Sequence, residues 1–234
     1  MRSSLLLAGG LTLCAGALRG EILVKYGEKI AFLGDSITEA GWAKPDGYVK
    51  LVIAGLSANG VSVEAVPAGI SGHKSNQMLD RLERDVLSKK PHWMTLSCGV
   101  NDVWHGKNGV PLELYKEYIT KILEVASAAE VKVVILTATV IHEQLDSPEN
   151  QQLAGYNGFL RALAHEHHLP LADLNALFHE RIKAANQPGE KVLTSDGVHM
   201  NDAGNRLMAR GVLRAFGLDD AQLAKAEAAW PGKP

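Results

Sequence analysis

Val131-Lys132-Val133-Val134-Ile135-Leu136 is apolar at every position but one and rich in β-branched residues. Six residues make a strand but are too few for a buried helix, and β-branched side chains fit a pleated surface. A continuous apolar run, rather than strict alternation, marks a parallel strand covered on both faces. Upstream, Ile30-Ala31-Phe32-Leu33, Val61-Ser62-Val63-Glu64-Ala65-Val66 and Trp93-Met94-Thr95-Leu96-Ser97 read as three further strands. Downstream, Leu169-Pro170-Leu171-Ala172-Asp173 is a shorter fifth, its proline suited to a strand start or a sheet edge.

Amphipathic stretches fill the intervals. From Tyr48 to Asn59, apolar residues recur at Val49, Val52, Ile53 and Leu56, and the pattern stops at Gly60, a residue favoured just past a helix end. Asn76 to Leu87 is predicted as a single helix carrying Met78, Leu79, Leu82, Val86 and Leu87. Leu112 to Ala129, Gln151 to His165, Leu174 to Ala185 and Ala203 to Phe216 complete the set. Strand–helix alternation implies right-handed crossovers and helices on both faces of the sheet. The expectation is therefore an α/β chain, a three-layer α/β/α sandwich on a five-stranded parallel sheet. In such sheets chemistry gathers where loops leave the carboxyl ends of the strands.

The 234 residues hold 24 Lys+Arg against 26 Asp+Glu, a formal net charge of −2, with 46% hydrophobic and 21% charged residues. Those are ordinary globular values, and they exclude a disordered or fibrous chain. A near-neutral charge with pI about 6.5 removes the electrostatic case for nucleic acid or an anionic membrane surface. Aromatic residues at 6% also argue against a base-stacking platform.

Residues 1–17 stand apart. Arg2, the apolar run Leu5 to Leu13, and Ala15-Gly16-Ala17 have the three-part layout of a secretory signal, and the run is too short to span a bilayer. Lipoprotein anchoring at Cys14 is disfavoured, because Leu13 is bulky where such a signal wants a small residue. Cleavage would remove one basic residue and no acid, taking the charge from −2 to −3, and would leave Cys98 as the one thiol. The expectation is an exported product, periplasmic or extracellular, with no membrane insertion and no internal disulfide. Residues 18–234 then form one domain with a core at about 27–217; oligomeric state is left open.

Four segments at strand ends could carry chemistry. Gly34-Asp35-Ser36 places a serine at a helix start, beside unpaired N–H groups and a positive dipole end, although a plain capping serine would look the same. Ala68-Gly69-Ile70-Ser71-Gly72-His73 allows close backbone approach, or is an ordinary loop. Ser97-Cys98-Gly99-Val100-Asn101-Asp102 supplies an amide that can donate to an oxyanion, or a turn-forming asparagine. Ser195-Asp196-Gly197-Val198-His199 can orient an imidazole by a carboxylate, or is a solvated loop pair. A serine hydroxyl needs such a base to become a nucleophile. Together the segments supply nucleophile, base, orienting acid and oxyanion donors.

In this order, over about 165 residues, these segments resemble the four blocks of the SGNH (GDSL) hydrolases. Lys29 to Val103 is most similar to bacterial lysophospholipase-like and acetylesterase-like members. The resemblance implies a flavodoxin-like sheet and a serine esterase with Ser36 as nucleophile, His199 as base then acid, and Asp196 as its partner. It also implies an oxyanion hole from the Ser36 and Gly72 N–H groups and the Asn101 amide. Pro67 departs from the family, which often carries asparagine there.

The expected substrate is a small-molecule or carbohydrate ester with a short acyl chain, a carbohydrate O-acetyl group among them; no cofactor is called for. Two other readings remain: a lysophospholipase or thioesterase for longer chains, and an inactive carbohydrate-binding or scaffold protein. Asp35, Trp42, Trp104 and His105 are candidates to line the substrate. Tyr115, Tyr118 and Trp93 are read as packing residues, and Cys98 as a small buried one. No metal is expected: His165-Glu166-His167-His168, His142-Glu143 and His179-Glu180 all fall short of His-Glu-x-x-His.

Overall fold

Lys29–Gly34 forms β1 in the computed structural model, which describes residues 21–187 and 189–232. The leader read at residues 1–17, Cys14 included, lies outside the described residues. The chain continues through α1 (Ser36–Ala43), α2 (Tyr48–Ala58), β2 (Glu64–Gly69), α3 (Ser75–Asp80), α4 (Leu82–Asp85) and β3 (Trp93–Ser97). Next come α5 (Val100–Trp104), α6 (Leu112–Ala128), β4 (Lys132–Leu136), α7 (Pro148–Glu166) and β5 (Leu171–Ala172). α8 (Leu174–Ala185), α9 (Asp202–Ala215) and α10 (Asp220–Ala228) follow.

All strand pairs are parallel, in the order β2-β1-β3-β4-β5. This is the five-stranded parallel sheet that the alternation predicted, in the flavodoxin-like order that the resemblance implies. α1, α2, α8, α9 and α10 pack in one layer, and α3, α5, α6 and α7 in the other. β1, β3 and β4 lie inside the sheet, so their continuous apolar runs are buried on both faces. Where Tyr48, Tyr115 and Tyr156 enter the core, each hydroxyl is paired: with Thr38 Oγ1 at 2.8 Å, the Cys98 carbonyl at 3.0 Å and the Val110 carbonyl at 2.6 Å. A buried hydroxyl left unpaired would cost about 1–3 kcal/mol. The Tyr115 bond also fixes the end of β3, from which the site residues leave.

Three details differ from the sequence reading. The second strand is displaced from Val61–Val66 to Glu64–Gly69, because pairing with β1 aligns Lys29 with Glu64 and Gly34 with Gly69. It is an edge strand, which is why Pro67 is accommodated. The helix expected over Asn76–Leu87 is broken into α3, α4 and a short 3-10 turn. Arg81, at the break, is drawn into the interior and is only 3% exposed. Lastly, α10 was not anticipated; it packs on α2, and Trp230 Nε1 donates to the Leu51 carbonyl at 2.8 Å.

Candidate active site

The sheet reverses its winding between β1 and β3, and a crevice opens outside their carboxyl ends at such a point. β1 delivers Ser36 there. Gly34 is required by close approach, since a Cβ would fall 2.0 Å from Thr38 Oγ1. Asp35 caps α1, its Oδ1 accepting from the Ile37 N–H at 2.9 Å, and Ser36 occupies the first helical position. There its backbone N–H has no acceptor among the described residues, as first-turn groups generally lack one.

The turn before α9 supplies the other half. His199 Nε2 lies 2.9 Å from Ser36 Oγ, and His199 Nδ1 lies 2.6 Å from Asp196 Oδ2. With Nδ1–H donated to the carboxylate, Nε2 is the nitrogen left to accept from the hydroxyl. Asp196 Oδ1 also accepts from the backbone N–H groups of Val198 at 2.9 Å and His199 at 2.8 Å. Burial would raise this carboxyl, but the hydrogen bonds from the His199 ring and from these N–H groups outweigh it and hold the group at about 2. Asn201 caps α9 by accepting from Gly204 N–H at 2.9 Å, so the turn is anchored at its exit.

Gly99, in a backbone conformation that disfavours side chains (φ +132), turns β3 into α5 and presents Asn101. Asn101 Nδ2 is 3.4 Å from Asp35 Oδ2 and 3.2 Å from the His73 carbonyl, so the amide sits between the Ser36 and Gly72 segments. Gly72, at φ +75, is exposed, and its N–H has no acceptor among the described residues. The Ser36 and Gly72 segments thus each carry an N–H without an acceptor among the described residues, and the Asn101 amide lies between the two segments.

The four candidate lining residues separate. Asp35 is a correction: its side chain is buried under the site rather than facing a substrate, because it caps α1 and meets the Asn101 amide. Burial pushes its carboxyl up to about 6, against the lowering effect of the Ile37 N–H bond. Trp42 is half-buried, with Lys50 Nζ 3.3 Å over its ring. Trp104 is 42% exposed and His105 is exposed beside it.

Sequence reasoning missed the residues that brace this arrangement. Asp102 Oδ1 accepts from Ser75 N–H at 3.0 Å and Ser75 Oγ at 2.5 Å, joining α3 to α5; its carboxyl is raised by burial. Cys98 is buried as expected, its Sγ 3.4 Å from Asp102 Oδ2. Arg81 donates to the carbonyls of Gly34 at 2.8 Å and Ala68 at 2.9 Å, and to His73 Nδ1 at 3.1 Å. Burial and the Arg81 charge push the His73 pKa down, consistent with Nδ1 as acceptor. Glu143 accepts from the N–H groups of Val192 at 2.6 Å and Leu193 at 2.9 Å, on the strap that leads into the Asp196 turn. A signal existed for Arg81: it is a charge beside Leu82 on an apolar helical stripe. Glu143 gave none, being weighed only as a metal ligand. Among the described residues no group of three or more His, Cys, Asp or Glu is placed to hold a metal ion.

A serine–imidazole–carboxylate chain with its serine at a helix start on a doubly wound sheet defines an acyl-transfer hydrolase. The model of the GDSL-like lipase/acylhydrolase family matches residues 32–207, and the chain belongs to that family. It is a carboxylic ester hydrolase. A curated acetylxylan esterase from Geobacillus stearothermophilus is 28% identical over 82% of this chain and 95% of its own length. A catalytic mutant of that enzyme, with serine replaced by alanine, superposes with a TM-score of 0.76 at 27% identity, over 84% of this chain and 97% of its own. The acetyl xylan esterase AlAXEase is 32% identical with a TM-score of 0.75, covering 80% of this chain and 98% of its own. An α/β hydrolase from the metagenome of Lake Arreo, Spain, reaches a TM-score of 0.76 at 25% identity, over 84% and 98% of the two chains.

Proposed function

We propose that this chain is a serine esterase that removes short acyl groups, acetyl above all, from carbohydrates by way of an acyl-enzyme on Ser36. The observation that carries the reading is the continuous contact from Ser36 Oγ to His199 Nε2 at 2.9 Å and from His199 Nδ1 to Asp196 at 2.6 Å. The acetylated-xylan activity for which two relatives are named supports the carbohydrate substrate.

Ser36 Oγ attacks the ester carbonyl carbon as its proton passes to His199 Nε2, and Asp196 stabilises the imidazolium. The negative oxygen of the tetrahedral intermediate takes hydrogen bonds from Ser36 N–H, Gly72 N–H and, after turning from its resting partners, the Asn101 amide. The two backbone donors are effective because, fixed in advance, they need not reorganise as charge develops. His199 then protonates the departing sugar oxygen and the carbon–oxygen bond breaks, leaving the acyl group on Ser36. Water, deprotonated by His199, repeats the addition and releases the carboxylic acid. The composition of residues 1–17 supports export, which brings the enzyme to polymeric substrates.

Ser36→Ala removes the nucleophile. Turnover of p-nitrophenyl acetate and of acetylated xylo-oligosaccharide is expected to fall at least 10³-fold, with the circular dichroism spectrum retained. A variant that keeps wild-type turnover defeats the assignment. A preference for octanoyl over acetyl esters defeats the short-chain part, and failure on every sugar acetate defeats the carbohydrate part.

A further inference from the structure

Trp104 ends α5, three residues after Asn101, and is the one exposed tryptophan among the described residues. An indole left in water forgoes a large burial gain, so its position asks for a reason. Its ring stacks at a tilt on His142, centroids 4.8 Å apart and planes at 45°. His142 is itself exposed and held in a left-handed backbone conformation, φ +51, which residues with a Cβ seldom adopt. Such conformations gather at ligand-contacting positions.

His142 also presses on the turn that carries the base. A Cβ on Gly197 would lie 2.9 Å from His142 Nδ1 and 3.2 Å from its Cα. Trp104 and His142 therefore bridge two parts of the site, the Asn101 helix and the Asp196–His199 turn. Beyond them, a cavity of about 630 Å³ is lined by His142, Glu143, Gln144, Lys191 and Gly197. The aromatic pair and the polar recess share His142, and through it they adjoin Gly197 of the Asp196–His199 turn.

We propose that Trp104 and His142 form the subsite for the leaving alcohol, on which a pyranose ring of an acetylated oligosaccharide stacks while its hydroxyls face the polar recess. The proposal rests on the carbohydrate reading of the preceding subsection. Sugar rings present flat C–H faces that pack on aromatic rings, and their rim hydroxyls need the donors and acceptors that Gln144 and Lys191 offer. A lipid tail would instead require an apolar recess.

The test compares kcat/KM for acetylated xylo-oligosaccharide with kcat/KM for ethyl acetate, whose alcohol has no pyranose ring to stack on Trp104. The ratio of the two is expected to fall at least tenfold in Trp104→Ala, mainly through a higher KM for the sugar ester, and less in Trp104→Phe, which keeps an aromatic face. His142→Ala is expected to fall in the same direction. In a Ser36→Ala background, the sugar ester is expected to change tryptophan fluorescence, and Trp104→Phe to remove that change. An unmoved ratio with an unmoved signal overturns the subsite while leaving the carbohydrate reading intact. A wild-type enzyme that cleaves ethyl acetate but no sugar ester overturns both.

Discussion

Glu143 Oε1 accepts two hydrogen bonds from Thr194, from its backbone N–H at 2.7 Å and from its hydroxyl at 2.6 Å. The same hydroxyl oxygen accepts from Gly197 N–H at 3.1 Å, and Thr194 pairs with Met200 across the turn. One carboxylate at the end of the loop after β4 thus holds the base of the turn that carries Asp196 and His199.

Glu143→Ala removes a charged acceptor from three backbone N–H groups and a hydroxyl. Leaving such donors unmet costs about 2–4 kcal/mol, and roughly 2–4 °C of Tm accompanies each kcal/mol in a domain of this size. Calorimetry is expected to show a Tm lowered by roughly 5–15 °C, with reduced kcat on p-nitrophenyl acetate. Glu143→Gln keeps one acceptor oxygen and is expected to fall between. An unchanged Tm in Glu143→Ala would show that the strap holds itself.

Asn101→Ala deletes the amide donor. Loss of a single oxyanion donor commonly costs about 3 kcal/mol of transition-state stabilisation, so kcat is expected to drop roughly 10²–10³-fold, with KM moved much less. Steady-state kinetics decides this. A large rise in KM at constant kcat would assign Asn101 to ground-state binding instead.

Asp35 makes stability depend on pH with a definite sign. Its carboxyl is raised by burial from an ordinary 3.8 to about 6, so the folded state holds a proton that the unfolded state has lost between those values. Its contribution is complete below 3.8 and is lost as pH rises through about 6. Asp35→Asn retains an oxygen for the Ile37 N–H and does not titrate. Urea denaturation is expected to show the wild type losing up to roughly 3 kcal/mol relative to Asp35→Asn between pH 4 and pH 7. A constant difference across that range would contradict the shift.

Arg81→Met removes the guanidinium donors from the carbonyls of Gly34, which keeps the Ile70 N–H, and of Ala68, and takes from Asp85 its Arg81 partner. Asp85 stays paired with Arg84, so the loss is that of the hydrogen bonds to the carbonyls, about 1–3 kcal/mol, which is expected as a lower urea midpoint. The loop through Gly72 and His73 loosens at the same time, so kcat in the surviving folded fraction is expected to fall. Arg81→Lys keeps the charge but cannot span both carbonyls, and is expected to recover only part of the loss.

Much of the architecture was legible in the chain because it is governed by short-range patterns. β3 and β4 were read almost residue for residue, since a central strand is apolar on both faces and stands out from its surroundings. β2 was not, because an edge strand is less buried and its apolar alternation begins before the segment that β1 selects. The helix over Asn76–Leu87 failed for a related reason: periodicity scores Arg81 as one polar position, whereas its guanidinium spans two strand ends and interrupts the helix.

Residue type and chain order, set by the sequence alone, determined that this protein has a serine at a helix start, an amide after a central strand, and an aspartate and histidine three apart before the last long helices. Tertiary structure decided how they meet and what steadies them. Ser36 and His199 are 163 residues apart, Arg81 reaches Gly34 across 47, and Glu143 holds Thr194 across 51. Contacts at such separations leave no local periodicity to read, because their partners are selected by the crossing of strands and loops rather than by spacing along the chain.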